Sequence, residues 1–212
     1  MNVTSIKKLL FHWKKIMMEN REYLIELDSV VGDGDLGLTM SDGFTAAYDS
    51  ISTNQEMDIG KVLFHAGKAM STKVPSTMGT LMASGLMGSG KKLKGKTVLS
   101  IEEIALLFSG YEEGVMKLGK AKVGEKTFLD GFHPAVLILN EAAKNKTDIN
   151  DAAKMAVKAA KKGYDDTKEM LALHGRAATR GEHSKAFKDP GAYVACLLFS
   201  AFEKSLSDKD GT

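Results

Sequence analysis

The chain has 212 residues, of which 43% are hydrophobic and 26% are charged, and this balance is typical of a soluble globular protein rather than a disordered one. Its 29 basic and 27 acidic residues give a net charge of +2, which provides no bulk field to attract nucleic acid or a membrane surface. Cys196 is the only cysteine, so an internal disulfide and a multi-cysteine zinc site are excluded. With no apparent signal peptide or bilayer-spanning apolar run, we expect one cytoplasmic domain over residues 1–212.

Most of the chain carries apolar residues at three- and four-residue steps, which is typical of amphipathic helices. No segment shows the sustained two-residue alternation of a β-strand. These patterns favour an all-α bundle of about eight helices joined by short loops. In chain order, we predict helices over approximately residues 5–17, 20–31, 39–51, 59–73, 77–93, 101–118, 133–145 and 150–172, and from residue 190 onward.

Several helix boundaries are predicted from caps and prolines. Asp189 directly precedes Pro190, which is a strong helix start because the carboxylate can cap the first turn and proline suits it. We assign Asn150 as the cap of the alanine- and lysine-rich helix. A further helix is predicted to begin near His133, because Pro134 fits a first turn better than a helix interior.

A glycine-rich loop carries three carboxylates within eight residues. Asp28, Asp33 and Asp35 lie in the segment Leu27–Gly37, and a single glycine separates the last two. Like charges this close repel one another unless a cation lies among them. Because all the donor atoms are hard oxygens, the sequence predicts a Mg²⁺ or Ca²⁺ site, in which magnesium would complete its coordination with water and substrate phosphates.

Two other interpretations of this loop were considered. An exposed acidic turn is one, since Asp-Gly is common in turns. An EF-hand is the other, but with Asp33 at its first position the required glycine falls on Leu38 and the required glutamate on Phe44. The EF-hand is therefore excluded, whereas the acidic turn stays open beside a magnesium and nucleotide site.

Two further segments resemble phosphate-binding motifs. Residues Gly85–Lys92 match the spacing of a P-loop, but lysine replaces the hydroxyl residue that would bind magnesium and no strand precedes them. Packing between helices through small residues is the favoured interpretation. Pro75–Thr80 offers three hydroxyls and a glycine at a helix start, where backbone amides favour a phosphate, although an ordinary helix cap explains it equally well.

Four separated segments together resemble the L subunit family of bacterial dihydroxyacetone kinases. They follow one another in the family's order and span nearly the whole chain. The motif-bearing stretches are Leu27–Gly37, Ser76–Thr80, Gly119–Ala135 and Gly175–Ala192.

This resemblance implies an up-and-down barrel of about eight antiparallel helices with a nucleotide at one end. Asp28, Asp33 and Asp35 match the family's magnesium ligands, which imply two Mg²⁺ ions bridging the phosphates of ADP or ATP. The positions that the resemblance implies for the nucleotide are Leu36, Gly37, Thr39, Ser76, Thr77, Met78, Gly79, Thr80, Gly119, Phe128, Gly175, Arg176, Asp189, Pro190 and Gly191.

The implied reaction is phosphoryl transfer to dihydroxyacetone on a separate K-type subunit. The resemblance also implies that a phosphohistidine protein of the phosphotransferase system recharges the bound ADP. Such a reaction needs mainly positioning and charge neutralisation, and Arg176 is the expected catalytic residue because its guanidinium can pair bidentately with phosphate. A surface salt bridge is its alternative role, and His174 and His183 are expected to be structural.

The sequence also departs from the family pattern. Leu36 stands where the family usually has histidine, His183 replaces a common arginine, and Met78–Met82 is poorer in glycine and serine than usual. A non-catalytic adaptor with the same fold and a kinase subunit for another small hydroxy-ketone or sugar are therefore alternatives. A fatty-acid kinase domain is less favoured because such chains carry further domains. A homodimer and the choice between a protein donor and free ATP stay open.

Overall fold

A computed structural model describes residues 1–208 of the chain, and the backbone of these residues forms nine α-helices and one 3₁₀ segment. Over the described range there is no β-strand, only an isolated bridge between Asn2 and Val98. The helices are α1 Val3–Glu19, α2 Arg21–Val31, α3 Leu36–Ser52, α4 Ile59–Lys73, α5 Thr77–Lys92, α6 Ile101–Gly119, α7 Phe128–Asn145, α8 Ile149–Asp166 and α9 Pro190–Ser207, and the 3₁₀ segment is Arg176–Ala186.

Eight of these helices close a ring. Each helix from α3 to α9 packs against the next, and α1 contacts both α9 and α3. The remaining helix, α2, lies outside the ring and packs mainly on α3. The predicted all-α barrel of about eight helices is therefore confirmed. None of the helices within residues 1–208 is long and apolar enough to cross a membrane.

Aromatic side chains fill the interior of the barrel. Phe108 and Phe199 stack with their ring centroids 5.0 Å apart, and Tyr111 stacks on Phe132 at 5.2 Å. The indole Nε1 of Trp13 donates to the Leu198 carbonyl oxygen at 3.0 Å, so its polar atom is satisfied inside the core. These side chains come from four of the ring helices, α1, α6, α7 and α9, so their packing stabilises the barrel from its interior. The loops at the ends of the barrel take no part in this packing.

The P-loop-like segment lies within α5, where its glycines pack against α6. A Cβ at Gly88 would overlap the Gly110 carbonyl oxygen, and a Cβ at Gly85 would overlap the ring of Tyr111. The two helix backbones can approach this closely only because these positions lack side chains. Helix packing, the favoured interpretation of the segment, is confirmed.

The predicted start of α7 near His133 is wrong. The helix begins at Phe128, because Thr127 and Asp130 form a capping box that satisfies its first amides. Pro134 consequently lies inside the helix. A proline cannot donate to the carbonyl four residues earlier, and that Asp130 carbonyl packs tightly against Gly163 of α8 instead.

The helix α8 also differs from the prediction at both ends. Asp148 caps it, rather than Asn150, and its carboxylate accepts from the amides of Asn150 and Asp151. The helix ends at Asp166 instead of near residue 172, and the chain then enters an irregular segment that precedes Arg176–Ala186. Leu36 already belongs to α3, three residues before the predicted start at Thr39.

Candidate functional site

Four connections between helices meet at one end of the barrel. They are the α2–α3, α4–α5, α6–α7 and α8–α9 connections, and an antiparallel arrangement places every second connection at the same end. Together they surround a cavity of about 640 Å³. This size suits a ligand of several hundred daltons and makes the cavity the candidate site.

Asp28, in the last turn of α2, converges at the edge of this cavity with Asp33 and Asp35 of the α2–α3 connection. One carboxylate oxygen from each of Asp28, Asp33 and Asp35 lies within 4.8 Å of the others. Asp28 is half-buried, while Asp33 and Asp35 are exposed to the cavity and solvent. Burial and the charges of its two neighbours raise the pKa of Asp28, although the Leu36 amide, which donates to Oδ2 at 3.3 Å, opposes that shift.

The donor set fits a magnesium ion. All donors are carboxylate oxygens, and the charges of Asp33 and Asp35 add to burial in raising the pKa of Asp28. A divalent cation would relieve the repulsion among the three carboxylates. The surrounding glycines make this convergence possible. A Cβ at Gly32 would overlap the Asp28 carboxylate, and Gly34 has φ +76°, a conformation that favours glycine.

The cavity brings together most of the residues that the sequence assigned to the nucleotide. Apolar side chains, including Leu81, Val115 and Phe128, line one part of it, and polar groups line the remainder. The lining residues that belong to the predicted site are Asp28, Asp33, Asp35, Leu36, Ser76, Thr77, Met78, Gly119, Phe128, Gly175, Arg176, Asp189, Pro190 and Gly191.

Four residues of the predicted nucleotide site do not line the cavity. Gly37 and Gly79 pack against backbone, since a Cβ would overlap the carbonyl oxygens of Arg21 and Val74, respectively. Thr80 donates its hydroxyl to the Ser76 and Thr77 carbonyl oxygens inside α5. The fourth, Thr39, lies behind the cavity wall with Oγ1 3.3 Å from Ser76 Oγ. Their roles here are in packing and support.

Two helix N-termini face the cavity. Ser76 caps α5 and accepts from the Gly79 amide at 3.1 Å, and Asp189 caps α9 and accepts from the Ala192 amide at 2.7 Å. The first amides of a helix have no partner within that helix, so both ends favour an anion. Desolvation and the nearby Asp130 charge raise the pKa of Asp189 to about 7, and the Ala192 amide and Lys126 oppose this shift.

Arg176 reaches the aspartates from the opposite side of the cavity. Its Nη2 lies 2.6 Å from Asp33 Oδ2, and its side chain is 69% exposed. The preceding Gly175 has φ +63°, so the chain turns sharply before the 3₁₀ segment begins. The alternative role of Arg176 as a salt-bridge residue is thus seen here, within the cavity and with a proposed metal ligand as its partner.

Sequence reasoning missed several polar residues of the site. Lys126 lines the cavity although only 2% of its surface is exposed. His174 also lines it and places Nε2 2.6 Å from Glu125 Oε2, whereas His183 is exposed. Lys126 belongs to the motif-bearing stretch Gly119–Ala135, but nothing in the neighbouring sequence indicates where its side chain points.

Comparisons with known proteins identify the family of the chain. A family model described as the DAK2 domain matches residues 30–204. The chain is 32% identical to the ADP-binding subunit DhaL of PEP-dependent dihydroxyacetone kinase 1 from Listeria innocua serovar 6a, over 87% of each chain. It is 30% identical to the ADP-binding subunit DhaL of the PEP-dependent dihydroxyacetone kinase from Escherichia coli K12, over 89% of this chain and 90% of that relative.

A solved structure shares the fold. The dihydroxyacetone kinase of C. freundii in complex with AMP-PNP and Mg²⁺ superposes with a TM-score of 0.69 at 22% identity. The match covers 96% of this chain and 33% of that longer one. From the family model and the two DhaL relatives, the chain belongs to the DAK2 domain family, together with the ADP-binding subunits of dihydroxyacetone kinases.

Proposed function

We propose that this chain is the nucleotide-binding subunit of a dihydroxyacetone kinase, which binds ADP or ATP with magnesium and passes a phosphoryl group to dihydroxyacetone on a separate K-type subunit. The convergence of Asp28, Asp33 and Asp35 beside two helix N-termini is the observation that carries this proposal. The 640 Å³ cavity is adequate for a nucleotide, and its apolar part is suited to a flat base.

Different groups in the cavity have different roles in the proposed phosphoryl transfer. The three aspartates would hold two Mg²⁺ ions, which supply charge neutralisation for the phosphates when bound. The amides at the start of α5 and α9 face the same anion, and the Arg176 guanidinium can pair with phosphate oxygens once it leaves Asp33. No nucleophile on this chain is required, because transfer to a hydroxyl depends chiefly on alignment and charge.

The donor in this proposal is a phosphohistidine protein of the phosphotransferase system. Its P–N bond breaks as a P–O bond forms on the β-phosphate of bound ADP, and the resulting ATP then phosphorylates the acceptor. Both partners must approach the open end of the barrel, where Asp33, Asp35 and Arg176 are exposed. These partners would place the chain in the cytoplasm.

Calorimetry with ADP and varied magnesium tests nucleotide binding. Wild-type protein should bind ADP only with magnesium, and Asp33→Asn combined with Asp35→Asn should abolish that binding because the ligand charges are lost. Asp151→Asn combined with Asp166→Asn removes the same charge from exposed positions on α8 and should bind normally. Unchanged binding in the Asp33 and Asp35 variant would contradict the proposal.

A non-catalytic adaptor is the second candidate, motivated by Leu36. Its side chain is buried, so it presents only a backbone amide to Asp28 where the family usually has histidine. Reconstitution with the K-type and phosphohistidine partners separates the two functions. Turnover of dihydroxyacetone supports the kinase subunit, whereas tight Mg-ADP binding without turnover of any small hydroxy-ketone supports the adaptor.

A further inference from the structure

The segment that carries Arg176 has little apolar support. Between residues 168 and 187, which we call the cover segment, only Ala172 and Ser184 are buried, and the segment contains no α-helix. Leu173 is 54% exposed. Hydrophobic packing therefore contributes little to its position, and polar contacts have to hold it over the cavity.

Lys126 supplies the central polar contact. Its Nζ donates to the carbonyl oxygens of Thr167 at 2.8 Å, Ser184 at 2.7 Å and Met170 at 3.3 Å, and also to that of Phe187. These carbonyls come from both ends of the cover segment. The ammonium thus occupies a ring of backbone oxygens, as a bound monovalent cation would.

The backbone at Lys126 has an unusual conformation. Lys126 has φ +58°, which is uncommon for a residue with a side chain, and it directly precedes the Thr127 cap of α7. Burial lowers the pKa of Lys126, and the Asp189 charge opposes this. All four partners are acceptors and the ammonium has three N–H groups, so at least one N–H is shared between two carbonyl oxygens.

Lys126 Nζ and its four carbonyl partners, which we call the polar hub, connect to the cavity on two sides. Thr167 Oγ1 accepts from the Asp189 amide at 2.9 Å, which joins the hub to the cap of α9. The Ala172 amide donates to Ser184 Oγ at 3.0 Å, and this bond closes the base of the loop that presents Arg176. Removing the ammonium would weaken the attachment of both ends of the cover segment together.

We propose that Lys126 is a positioning residue for nucleotide binding: its buried ammonium ties the two ends of the cover segment and so holds Arg176 over the phosphate side of the cavity. This inference rests on the proposed binding of Mg-ADP. Lys126 acts through Arg176 and does not itself need to touch the nucleotide. Its removal should therefore weaken nucleotide binding in protein that remains fully folded.

The test combines calorimetry with hydrogen exchange. At a temperature where circular dichroism shows full folding, Lys126→Met should weaken Mg-ADP binding at least tenfold and speed amide exchange in residues 168–187, with α3–α6 unchanged. Lys146→Met is the matched control, since Lys146 also has positive φ but is exposed at the end of α7. The control should match wild type in both measurements.

A double-mutant cycle separates positioning from general stability. In an Arg176→Ala background, adding Lys126→Met should weaken binding by no more than about twofold, because the group being positioned is already gone. Equal losses in both backgrounds, or unchanged affinity in folded Lys126→Met, would overturn the inference. Wild-type protein that fails to bind Mg-ADP would instead reject the proposed function.

Should Lys126→Met not fold, Ser184→Ala examines the same segment with a smaller change. It removes the hydroxyl that accepts from the Ala172 amide but leaves the Ser184 carbonyl in place. We expect at least threefold weaker Mg-ADP binding together with faster exchange in residues 168–187. Wild-type affinity with faster exchange would show that order in the cover segment does not matter to the nucleotide, and would overturn the inference.

Discussion

Arg176 forms an ion pair with Asp33, with Nη2 and Oδ2 2.6 Å apart, across the mouth of the cavity. The guanidinium lies at the carboxylate cluster to which we assign magnesium. A cation entering the cluster must therefore compete with Arg176. Because the arginine side chain is 69% exposed, it is free to leave Asp33 when a phosphate offers a better partner.

Arg176→Ala should consequently have opposite effects on two ligands. Magnesium alone should bind several-fold more tightly, because a competing positive charge has been removed from Asp33. Mg-ADP should bind about tenfold to a hundredfold more weakly, as expected for a lost charge-assisted hydrogen bond of about 1.5–3 kcal/mol. Calorimetric titration with each ligand measures both, and weaker binding of magnesium alone would contradict this competition.

Gly32 can be tested as the position that allows Asp28 to reach the cluster. Gly32→Ala introduces a Cβ that overlaps the Asp28 carboxylate, so the carboxylate must move. We expect at least tenfold weaker magnesium-dependent ADP binding with a small loss of thermal stability. Gly124→Ala is a suitable control for a loop glycine with open space around it, although its φ of +94° adds backbone strain. Preserved affinity in Gly32→Ala would argue against Asp28 as a ligand.

The raised pKa of Asp189 predicts a pH-dependent free energy of unfolding. The folded protein keeps this proton up to about pH 7, whereas the unfolded chain releases it near pH 3.8, the ordinary pKa of an aspartate. Because only the unfolded chain ionises at Asp189 in this range, the free energy of unfolding falls as pH rises from about 4 to 7, by at most about 1.4 kcal/mol per pH unit. Asp189→Asn keeps a helix cap but cannot ionise, so its stability relative to wild type should increase over this range.

Urea unfolding at pH 5, 6 and 7 measures that difference, and Asp148→Asn provides the control. Asp148 caps α8 at the surface, and hydrogen bonds from Asn150 lower its pKa, so its contribution is lost only as pH falls. The Asp148 variant should therefore show a constant difference from wild type between pH 5 and 7. A constant difference for Asp189→Asn as well would mean that its carboxyl ionises normally.

A substitution at Gly88 can distinguish helix packing from phosphate binding as the role of the P-loop-like segment. Gly88→Ala forces a side chain against the Gly110 carbonyl, and we expect a loss of about 1–3 kcal/mol in the free energy of unfolding from overpacking. Mg-ADP affinity of the folded variant should match wild type. Loss of affinity without loss of stability would revive the phosphate-loop interpretation.

The helices and the metal cluster could both be predicted because each depends on residues that are close together in sequence. Helical periodicity and the spacing of Asp28, Asp33 and Asp35 both operate over a few residues, so neighbours in sequence are neighbours in space. The start of α7 was predicted too late because Pro134 favours a first turn near His133, whereas the Thr127–Asp130 capping box begins the helix at Phe128. The Asp130 carbonyl, to which Pro134 cannot donate, packs against Gly163, and Gly163 is distant in sequence.

The polar hub at Lys126 could not be predicted in this way. Its acceptors are backbone carbonyls between 41 and 61 residues further along the chain, and carbonyls carry no sequence signature. The ion pair between Arg176 and Asp33 likewise joins two segments that meet only because the barrel closes. The resemblance assigned Arg176 to the nucleotide and Asp33 to magnesium. The ion pair between them and the contacts of Lys126 with the cover segment could be seen only in the structure.

Because α2 lies outside the ring, cation binding and the packing of the barrel interior depend largely on different helices. The helix that leads into the aspartate loop contributes Leu24 and Val31 as its only buried residues, whereas the aromatic interior comes from the ring helices. Substitutions along α2 can thus retune cation affinity while the barrel retains its architecture.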